Sequence, residues 1–314
     1  MYLKEKHTWI LGATGYIGRA LAEQFLGDRN FVCLGHRKID LELMERSNFL
    51  MSSLEGLDLN WLERFPPKVI FHCARLAGSS PAKRKAAAEK GARANQRIID
   101  YLVKLPYPPT IVYCSGTLMY GPQDEETDEA TPLNPIAYAR QYEIAERPWL
   151  KVKSEGKLDV RMARPAWILG PDSWFLHFFL KPAWEQGWVP YYGDGQQQMS
   201  ILALADCAGQ LKHVNEAGKP GTNYNLYSLP PISQKEFAET LADCLKMKAR
   251  GISLEDCKAQ MGLAETEALC SNIPVTTYHR DWKLSYQTLE GDLTSLLEKT
   301  IHQAEVTYGL LRKS

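Results

Sequence analysis

Apolar and polar residues alternate with two different periods along the first half of the chain. An apolar run at residues 9–11 meets three glycines and passes into helical spacing up to residue 26, which predicts a strand, a tight turn and a helix. Residues 31–35 and 68–74 are rich in apolar and β-branched residues, and they predict the second and fourth strands. Strands that alternate with helices in this way favour a doubly wound α/β fold with a parallel sheet.

The pattern continues through the middle of the chain and then becomes less regular. Residues 81–105 are amphipathic and predict a long helix, and the apolar run that begins at residue 110 predicts the next strand. A dense set of aromatic residues follows residue 173, and beyond residue 249 alternating polar and apolar stretches predict further helices. We expect most of these aromatic side chains to pack in the core of a smaller lobe and some to line a substrate cleft.

Composition narrows the class of protein. The 314 residues include 37 Lys and Arg and 37 Asp and Glu, and this formal net charge of zero disfavours nucleic-acid or anionic-membrane partners. No apolar run approaches the roughly 20 residues that span a bilayer. The seven scattered cysteines, without a C-x-x-C pair, suit reduced core residues better than a metal site. We therefore expect a cytoplasmic protein that acts on a small molecule, with no metal, nucleic-acid or membrane partner.

The three glycines of the first turn stand at a spacing of three. Gly12 allows a sharp turn off the strand, Gly15 allows backbone to approach a pyrophosphate, and Gly18 allows the helix to pack closely on the strand. The N–H groups at the start of the helix then face the anion. The turn indicates a phosphate-binding site, although an ordinary strand-to-helix loop would carry the same glycines.

The spacing G-x-x-G-x-x-G, with Ala13 and Thr14 between the first two glycines, resembles the extended short-chain dehydrogenase/reductase superfamily of NAD(P)-dependent epimerases, dehydratases and reductases. The resemblance extends over residues 8–246. It implies a Rossmann domain at residues 1–165 and a smaller C-terminal α/β substrate lobe at residues 166–314. Part of the chain around residues 197–230 is expected to return to the nucleotide-binding domain. Members of this family often dimerise, so a homodimer is a further expectation.

The residues after the second strand bear on the choice between NAD and NADP. His36, Arg37 and Lys38 follow Gly35 without a carboxylate, and Arg37 stands where NADP-dependent reductases of the family similarly carry an arginine. A guanidinium can bind the 2′-phosphate of NADP with two hydrogen bonds. We expect NADP as the cofactor, with NAD as the alternative. The alternative interpretation of these three residues is a cluster of solvated charges at the end of the strand.

The catalytic region departs from the family pattern at two positions. Residues 110–122 resemble a strand that ends in S-S/T-x-x-x-Y-G, and residues 135–143 resemble P-x-x-Y-x-x-x-K. In that pattern the tyrosine exchanges the proton of a carbinol, the lysine lowers the tyrosine pKa, and a Ser or Thr hydroxyl orients the carbonyl. Here Tyr138 is retained, Tyr142 occupies the lysine position and Gly116 occupies the hydroxyl position.

Three hypotheses account for these replacements. Another cation, for which Arg75 is the candidate, could supply the missing positive field. The reaction could need less help with proton transfer, or the protein could keep the cofactor fold without redox chemistry. Ser115 and Thr117 flank Gly116 and are the candidate orienting hydroxyls. The predicted catalytic residues are therefore Tyr138, Thr117 and Ser115.

The resemblance also implies a set of cofactor contacts. Asp58 is either an adenine contact or the N-cap of the next helix, and Asn95 matches an asparagine that braces the active-site strand. The residues expected in the cofactor site are Gly12, Thr14, Gly15, Tyr16, Ile17, Gly18, His36, Arg37, Lys38, Asp58, Leu59, Cys73, Ala74, Arg75, Asn95, Tyr138, Pro165 and Ala166.

One further motif bears on the substrate. Residues 193–206 resemble a family segment whose arginine binds the diphosphate of nucleotide sugars, but Met199 occupies that position. The sequence therefore predicts an NADP(H)-dependent, carbonyl-reductase-like enzyme that acts on a non-nucleotide substrate. The alternatives are a redox-silent NAD(P)-binding sensor or scaffold and an enzyme of the sugar-nucleotide epimerase or dehydratase type.

Overall fold

The protein consists of one large sheet, three two-stranded sheets and twelve α-helices within the described residues. The computed structural model describes residues 5–36, 38–76, 78, 80–289 and 291–309. The strands are β1 (His7–Leu11), β2 (Phe31–Gly35), β3 (Asn48–Met51), β4 (Pro67–His72), β5 (Thr110–Cys114), β6 (Val160–Pro165), β7 (Trp167–Leu169), β8 (Val189–Tyr192), β9 (Gln198–Met199), β10 (Ile201–Ala203), β11 (Asn223–Leu226), β12 (Ile232–Ser233) and β13 (Ala249–Ile252). The helices are α1 (Tyr16–Ala22), α2 (Leu41–Arg46), α3 (Asn60–Arg64), α4 (Pro81–Leu102), α5 (Ala137–Ser154), α6 (Lys181–Gln186), α7 (Leu204–Ala217), α8 (Gln234–Leu245), α9 (Leu254–Met261), α10 (Leu263–Cys270), α11 (Arg280–Leu284) and α12 (Leu293–Tyr308).

The large sheet confirms the predicted doubly wound α/β fold. Its strand order is β3-β2-β1-β4-β5-β6-β11, and the pairings from β3 through β6 are parallel. The order reverses between β1 and β4, because the chain adds β2 and β3 on one side of β1 and the later strands on the other. In such sheets ligands bind beyond the carboxyl ends of the strands at this reversal. The turn after β1 therefore lies at the expected binding position.

The described residues form two compact units. The first comprises residues up to Ser115 with Arg140–Arg164 and Ala208–Tyr224, and the second comprises Gly116–Ala139, Pro165–Cys207 and residues from Asn225 onward. Residues 116–139 belong to the second unit. Backbone bonds hold them there, including Gln123 N to Asn272 O and Thr127 N to Pro274 O, each at 2.8 Å.

Each unit has its own apolar core. The strands of the first unit are nearly continuous hydrophobic runs, as expected for a parallel sheet that is covered on both faces, and fully buried side chains such as Trp9, Ile111 and Trp149 pack around them. In the second unit Phe179 packs edge-to-face against Phe237 and other rings, with centroids 5.1 Å apart. The aromatic residues after position 173 thus contribute mainly to this core, as expected.

Candidate active site

The turn after β1 has the geometry of a phosphate-binding loop. Gly12 has a φ of 84°, a left-handed conformation that favours glycine. The N–H groups of Gly12 and Ala13 donate to Leu34 O at 3.0 and 2.9 Å, which ties the turn to β2. A Cβ on Gly12 would lie 2.7 Å from Ala74 Cα. The turn therefore packs directly against the chain just beyond β4.

The two later glycines of the turn differ in their surroundings. A Cβ on Gly18 would lie 2.1 Å from the carbonyl oxygen of Gly12, so glycine is what lets α1 pack on the turn. A Cβ on Gly15 would meet, among described atoms outside its chain neighbours, Gly12 O alone at 3.2 Å. Gly15 thus lies close to the carbonyl oxygen of Gly12 just before α1 begins at Tyr16, with Ile17 next in the helix. This arrangement fits a dinucleotide pyrophosphate, which needs close backbone approach.

The end of β2 lies beside the same turn. A Cβ on Gly35 would approach Thr14 Cγ2 to 2.8 Å, and the His36 N–H donates to Thr14 Oγ1 at 3.4 Å. The side chains of His36 and Lys38 are exposed. Arg37 lies outside the described residues, so its contact with the 2′-phosphate stays a prediction from the sequence.

Asp40 is an acidic residue near this position that the sequence interpretation missed. It lies 22 residues after Gly18, close to the spacing at which NAD sites carry a ribose-binding carboxylate, and that spacing was the available signal. Its Oδ2 accepts from Arg19 Nε at 2.6 Å and its Oδ1 accepts from Leu43 N at 3.1 Å. Burial acts to raise the pKa of Asp40, but these two bonds hold it below its ordinary value. Both carboxylate oxygens are thus engaged within the protein.

Asp58 and Leu59 precede α3. Asp58 Oδ1 accepts the N–H of Asn60 at 3.0 Å, and its carbonyl oxygen accepts from Trp61 N at 3.1 Å. These bonds support the interpretation that Asp58 starts the helix, and its contact with adenine stays a prediction. Leu59 packs against the core of the first unit.

The residues after β4 bring a cation to α5. Cys73 N donates to Leu11 O at 2.9 Å, which keeps the chain beside β1 past the end of the strand. Arg75 is exposed, and its guanidinium carbon lies 3.9 Å from the centroid of the Tyr142 ring. A guanidinium over an aromatic face is an attractive cation–π arrangement. The residue at the family's lysine position is therefore in contact with an arginine from another part of the chain.

Asn95 lies inside the first unit. Its side chain is buried, its Oδ1 lies 2.8 Å from His72 Nε2, and its Nδ2 donates to Ala145 O at 2.8 Å. Asn95 thus connects α4, where it resides, with β4 and α5. This connection fits a bracing role, and contact with the cofactor stays a prediction.

The burial of His72 is expected to make the protein less stable in acid. Burial is the main cause that lowers the pKa of His72 from 6.5 to about 4, so the folded protein keeps the ring neutral. As pH falls from 6.5 towards 4, the unfolded chain binds more protons than the folded chain, and the folded state loses stability. This group alone should lower the free energy of unfolding by about 3 kcal/mol over that window, measured by urea unfolding.

His72→Gln is the control variant for this pH dependence. It removes the titrating ring and retains an amide that can bond Asn95. Its free energy of unfolding should vary less over the same pH window, even if its stability at neutral pH is lower. An equally steep pH dependence in the variant would show that another group is responsible.

Ser115, at the end of β5, is bonded to a buried carboxylate. Its Oγ donates to Glu146 Oε2 at 2.6 Å, and the Glu146 residue is 2% exposed. Burial raises the pKa of Glu146, while the charge of Arg164 and the bond from Ser115 act in the opposite direction. The sequence interpretation missed Glu146. Its position eight residues after Tyr138, about two helical turns, was the available signal.

Thr117 and Tyr138, the other predicted catalytic residues, belong to the second unit. Thr117 is buried and begins a single 3₁₀ turn after Gly116. A Cβ on Gly116 would meet no described atom within 4 Å, and its φ of −179° is extended backbone that any residue adopts. Tyr138 is half-buried in the first turn of α5, where the N–H of Ala137 donates to Glu267 Oε2 at 2.8 Å.

The second unit also contains the remaining predicted positions. Pro165 ends β6, and the N–H of the buried Ala166 donates to Leu226 O at 2.9 Å. Met199 is 3% exposed and packs in the apolar core of this unit. At the position of the family's diphosphate-binding arginine, this side chain therefore contributes to packing.

Two other features are absent from the part of the chain that the structure describes. There, no three His, Cys, Asp or Glu side chains are grouped so that they could hold a metal ion. The described helices include none that is both long enough and apolar enough to cross a membrane. The seven cysteines, all of which lie within the described residues, form no disulfide bonds.

Comparison with known proteins relates the chain to one family. A family model described as NAD dependent epimerase/dehydratase family matches residues 8–226. A curated relative, the uncharacterized UDP-glucose epimerase YtcB of Bacillus subtilis (strain 168), is 24% identical. The match to this relative covers 76% of the present chain and 82% of YtcB.

Solved structures of similar proteins share the fold. The dTDP-glucose 4,6-dehydratase from Bacillus anthracis in complex with NAD has a TM-score of 0.76 at 16% identity, over 97% of this chain and 98% of that one. The UDP-N-acetylglucosamine 4-epimerase from Methanobrevibacter ruminantium has a TM-score of 0.78 at 16% identity, over 97% and 100%. Human epimerase family protein SDR39U1 with NADPH has a TM-score of 0.73 at 19% identity, over 94% and 99%.

Proposed function

Because this chain belongs to the NAD dependent epimerase/dehydratase family, we propose that it is an NADP(H)-dependent oxidoreductase that reduces a carbonyl group of a non-nucleotide substrate. The observation that carries the proposal is the loop of Gly12, Gly15 and Gly18, whose geometry fits a dinucleotide pyrophosphate. The similar structures include one solved with NAD and one solved with NADPH. The basic residues around Arg37 favour NADP on grounds of charge.

In this proposal the chain's own residues bind the cofactor and deliver a proton. When bound, the nicotinamide supplies a hydride to the carbonyl carbon. The Tyr138 hydroxyl gives its proton to the carbonyl oxygen, so that the C=O group becomes an alcohol. Thr117 or Ser115 orients the carbonyl, and the bond from Ser115 to Glu146 favours Thr117 for this role.

The proposed substrate class is supported by the burial of Met199. A diphosphate is best held by cationic donors, and this position offers a side chain that is packed in an apolar core. Sugar-nucleotide epimerisation or dehydration is the second candidate. It is supported by the names of the relatives, which include a UDP-glucose epimerase and a UDP-N-acetylglucosamine 4-epimerase.

A redox-silent NAD(P)-binding protein is the candidate from another functional class. It is favoured by Gly116, which carries no hydroxyl, and by Tyr142, which carries no ammonium group. This candidate predicts cofactor binding without turnover, whereas the enzymatic candidates predict both.

Cofactor titration followed by a substrate panel tests the proposal. The protein is titrated with NADPH and NADH, and binding is followed by quenching of its eight tryptophans. Bound NADPH is then offered carbonyl compounds and, separately, UDP- and dTDP-sugars, with nicotinamide absorbance and product analysis as readouts. Consumption of NADPH by a carbonyl compound supports the reductase. Binding without turnover favours the redox-silent protein, and no binding contradicts all three candidates.

Arg37→Asp is expected to shift the cofactor preference towards NADH. Loss of a charged hydrogen bond costs about 1.5–3 kcal/mol, so the Kd for NADPH should rise by about 10- to 100-fold while the Kd for NADH changes little. Fluorescence titration with both cofactors measures this. Arg93→Asp makes the same charge change at an exposed position on α4 and should leave the preference as it is. Unchanged NADPH affinity in Arg37→Asp would contradict the assignment of Arg37.

A further inference from the structure

The contact between Arg75 and Tyr142 joins two departures from the family pattern. Arg75 stands where the family usually has a small residue after β4, and Tyr142 stands where it has the catalytic lysine. In the structure the guanidinium carbon of Arg75 lies 3.9 Å from the centroid of the Tyr142 ring. One replacement thus removes a cation from α5, and the other brings a cation to the same position on the helix.

The position of Arg75 along the chain places this cation beside the glycine loop. Its neighbour Ala74 packs against Gly12, where an added Cβ would lie 2.7 Å from Ala74 Cα. Arg75 follows directly and extends to Tyr142 in the second turn of α5. The cation therefore lies where the sheet order reverses, at the carboxyl end of β4.

The spacing of residues within α5 bears on the position of this cation relative to Tyr138. Tyr138 and Tyr142 are four residues apart in one helix, so their side chains project from the same face one turn apart. A guanidinium held on the ring of Tyr142 is thus near the place that a lysine side chain at position 142 would occupy. We infer that Arg75, held by Tyr142, supplies in place of the family's lysine the positive charge that favours ionisation of Tyr138.

This inference rests on the proposed role of Tyr138 as proton donor. A nearby cation stabilises the phenolate form of a tyrosine. This stabilisation brings the pKa of the phenol closer to the pH at which a general acid works. The charge of Arg75 also acts on Tyr113, which lies on β5. Burial and the charge of Glu146 raise the pKa of Tyr113, and the charge of Arg75 acts in the opposite direction.

Other charged groups close to this part of α5 are of both signs: Arg140 is exposed between Tyr138 and Tyr142, and the charge of Arg164 acts on Glu146. Glu143 and Glu146 lie on the helix itself, and Glu267 accepts the N–H of Ala137 at its first turn. The small cavity beside Arg75 and Tyr142 is lined from α4 by four residues without charge, which are Ala87, Ala88, Gly91 and Asn95. Carboxylates disfavour a phenolate, so the charge of Arg75 acts against them.

The test measures the pKa of Tyr138 directly in the full chain. Tyrosine labelled with ¹³C at Cζ gives one signal for each tyrosine, and Tyr138→Phe identifies the signal of Tyr138. The pH titration of that signal gives the pKa of Tyr138 in each variant. Arg75→Ala should raise this pKa by about one unit, and the double variant Arg75→Ala/Tyr142→Lys should lower it again.

Rescue by lysine separates this role from a structural one. A contact that only stabilises the fold would not be replaced by a lysine at position 142. Arg93→Ala, which removes an exposed arginine from α4, is the control and should leave the Tyr138 titration unchanged. If Arg75→Ala does not fold, Arg75→Gln retains most of the side-chain stem and should give the same shift.

Two results would overturn the inference. One is a Tyr138 titration that is the same in the unaltered protein and in the Arg75 variant, and the other is a shift that the double variant does not reverse. The titration is made without substrate, so it does not depend on turnover. Failure of the proposed function would appear separately, as absence of NADPH consumption by the unaltered protein with every carbonyl compound.

Discussion

Tyr138→Phe is expected to lower kcat for carbonyl reduction by about 10²- to 10⁴-fold, which is the contribution of a positioned general acid. The substitution removes one hydroxyl and preserves the ring, so packing around the first turn of α5 should persist. Affinity for NADPH should change by less than about threefold, which corresponds to less than 1 kcal/mol of binding free energy. Steady-state kinetics and fluorescence titration measure the two quantities.

Tyr107→Phe is the matched control for this prediction. Tyr107 is 72% exposed, and the substitution removes the same hydroxyl at a position outside the candidate site. Its kcat should equal that of the unaltered protein. Full turnover by Tyr138→Phe would exclude Tyr138 as the acid, whereas a fall in both kcat and NADPH binding would indicate that the hydroxyl also contacts the cofactor.

Gly18→Ala is expected to lower the free energy of unfolding by about 3 kcal/mol and to weaken NADPH binding. An alanine within a helix normally stabilises it by about 1 kcal/mol relative to glycine. At this position the added Cβ would lie 2.1 Å from Gly12 O, so the backbone of the turn or the helix must move. The clash outweighs the gain in helix propensity. Urea unfolding and NADPH titration measure the two effects.

Gly116→Ala is the comparison for this substitution. Its Cβ would meet no described atom within 4 Å, and its φ of −179° suits alanine. The free energy of unfolding should therefore stay within about 0.5 kcal/mol of the unaltered value or rise slightly. Similar stability in Gly18→Ala and Gly116→Ala would show that the close packing of α1 on the glycine turn is unimportant.

Strands with long apolar runs were the part of the fold that could be predicted most accurately. The second strand lies at Phe31–Gly35 and the fifth begins at Thr110, as predicted, because buried parallel strands require uninterrupted apolar residues. The fourth strand ends at His72, two residues earlier than predicted. The edge strand β3 was not predicted, because its residues are only half-buried or exposed and show no clear period.

Some features of the candidate site were predictable from the sequence, and others were not. The glycine turn was predictable because close backbone approach excludes every residue except glycine at its tightest point. The sequence also showed that the lysine and hydroxyl positions are replaced. It left three explanations open, because the partners of Tyr142 and Ser115 are distant along the chain. Arg75 precedes Tyr142 by 67 residues, and Glu146 follows Ser115 by 31.

By itself, then, the sequence determined the α/β class, the glycine turn after the first strand and the replacement of two residues of the family's catalytic pattern, since these depend on residue type at short spacing. Tertiary structure decided which distant side chains meet. It placed the guanidinium of Arg75 on Tyr142, the hydroxyl of Ser115 on Glu146, and the carboxylate of Asp40 on Arg19. Such contacts form only when the parallel sheet brings strand ends and helices from separate parts of the chain together.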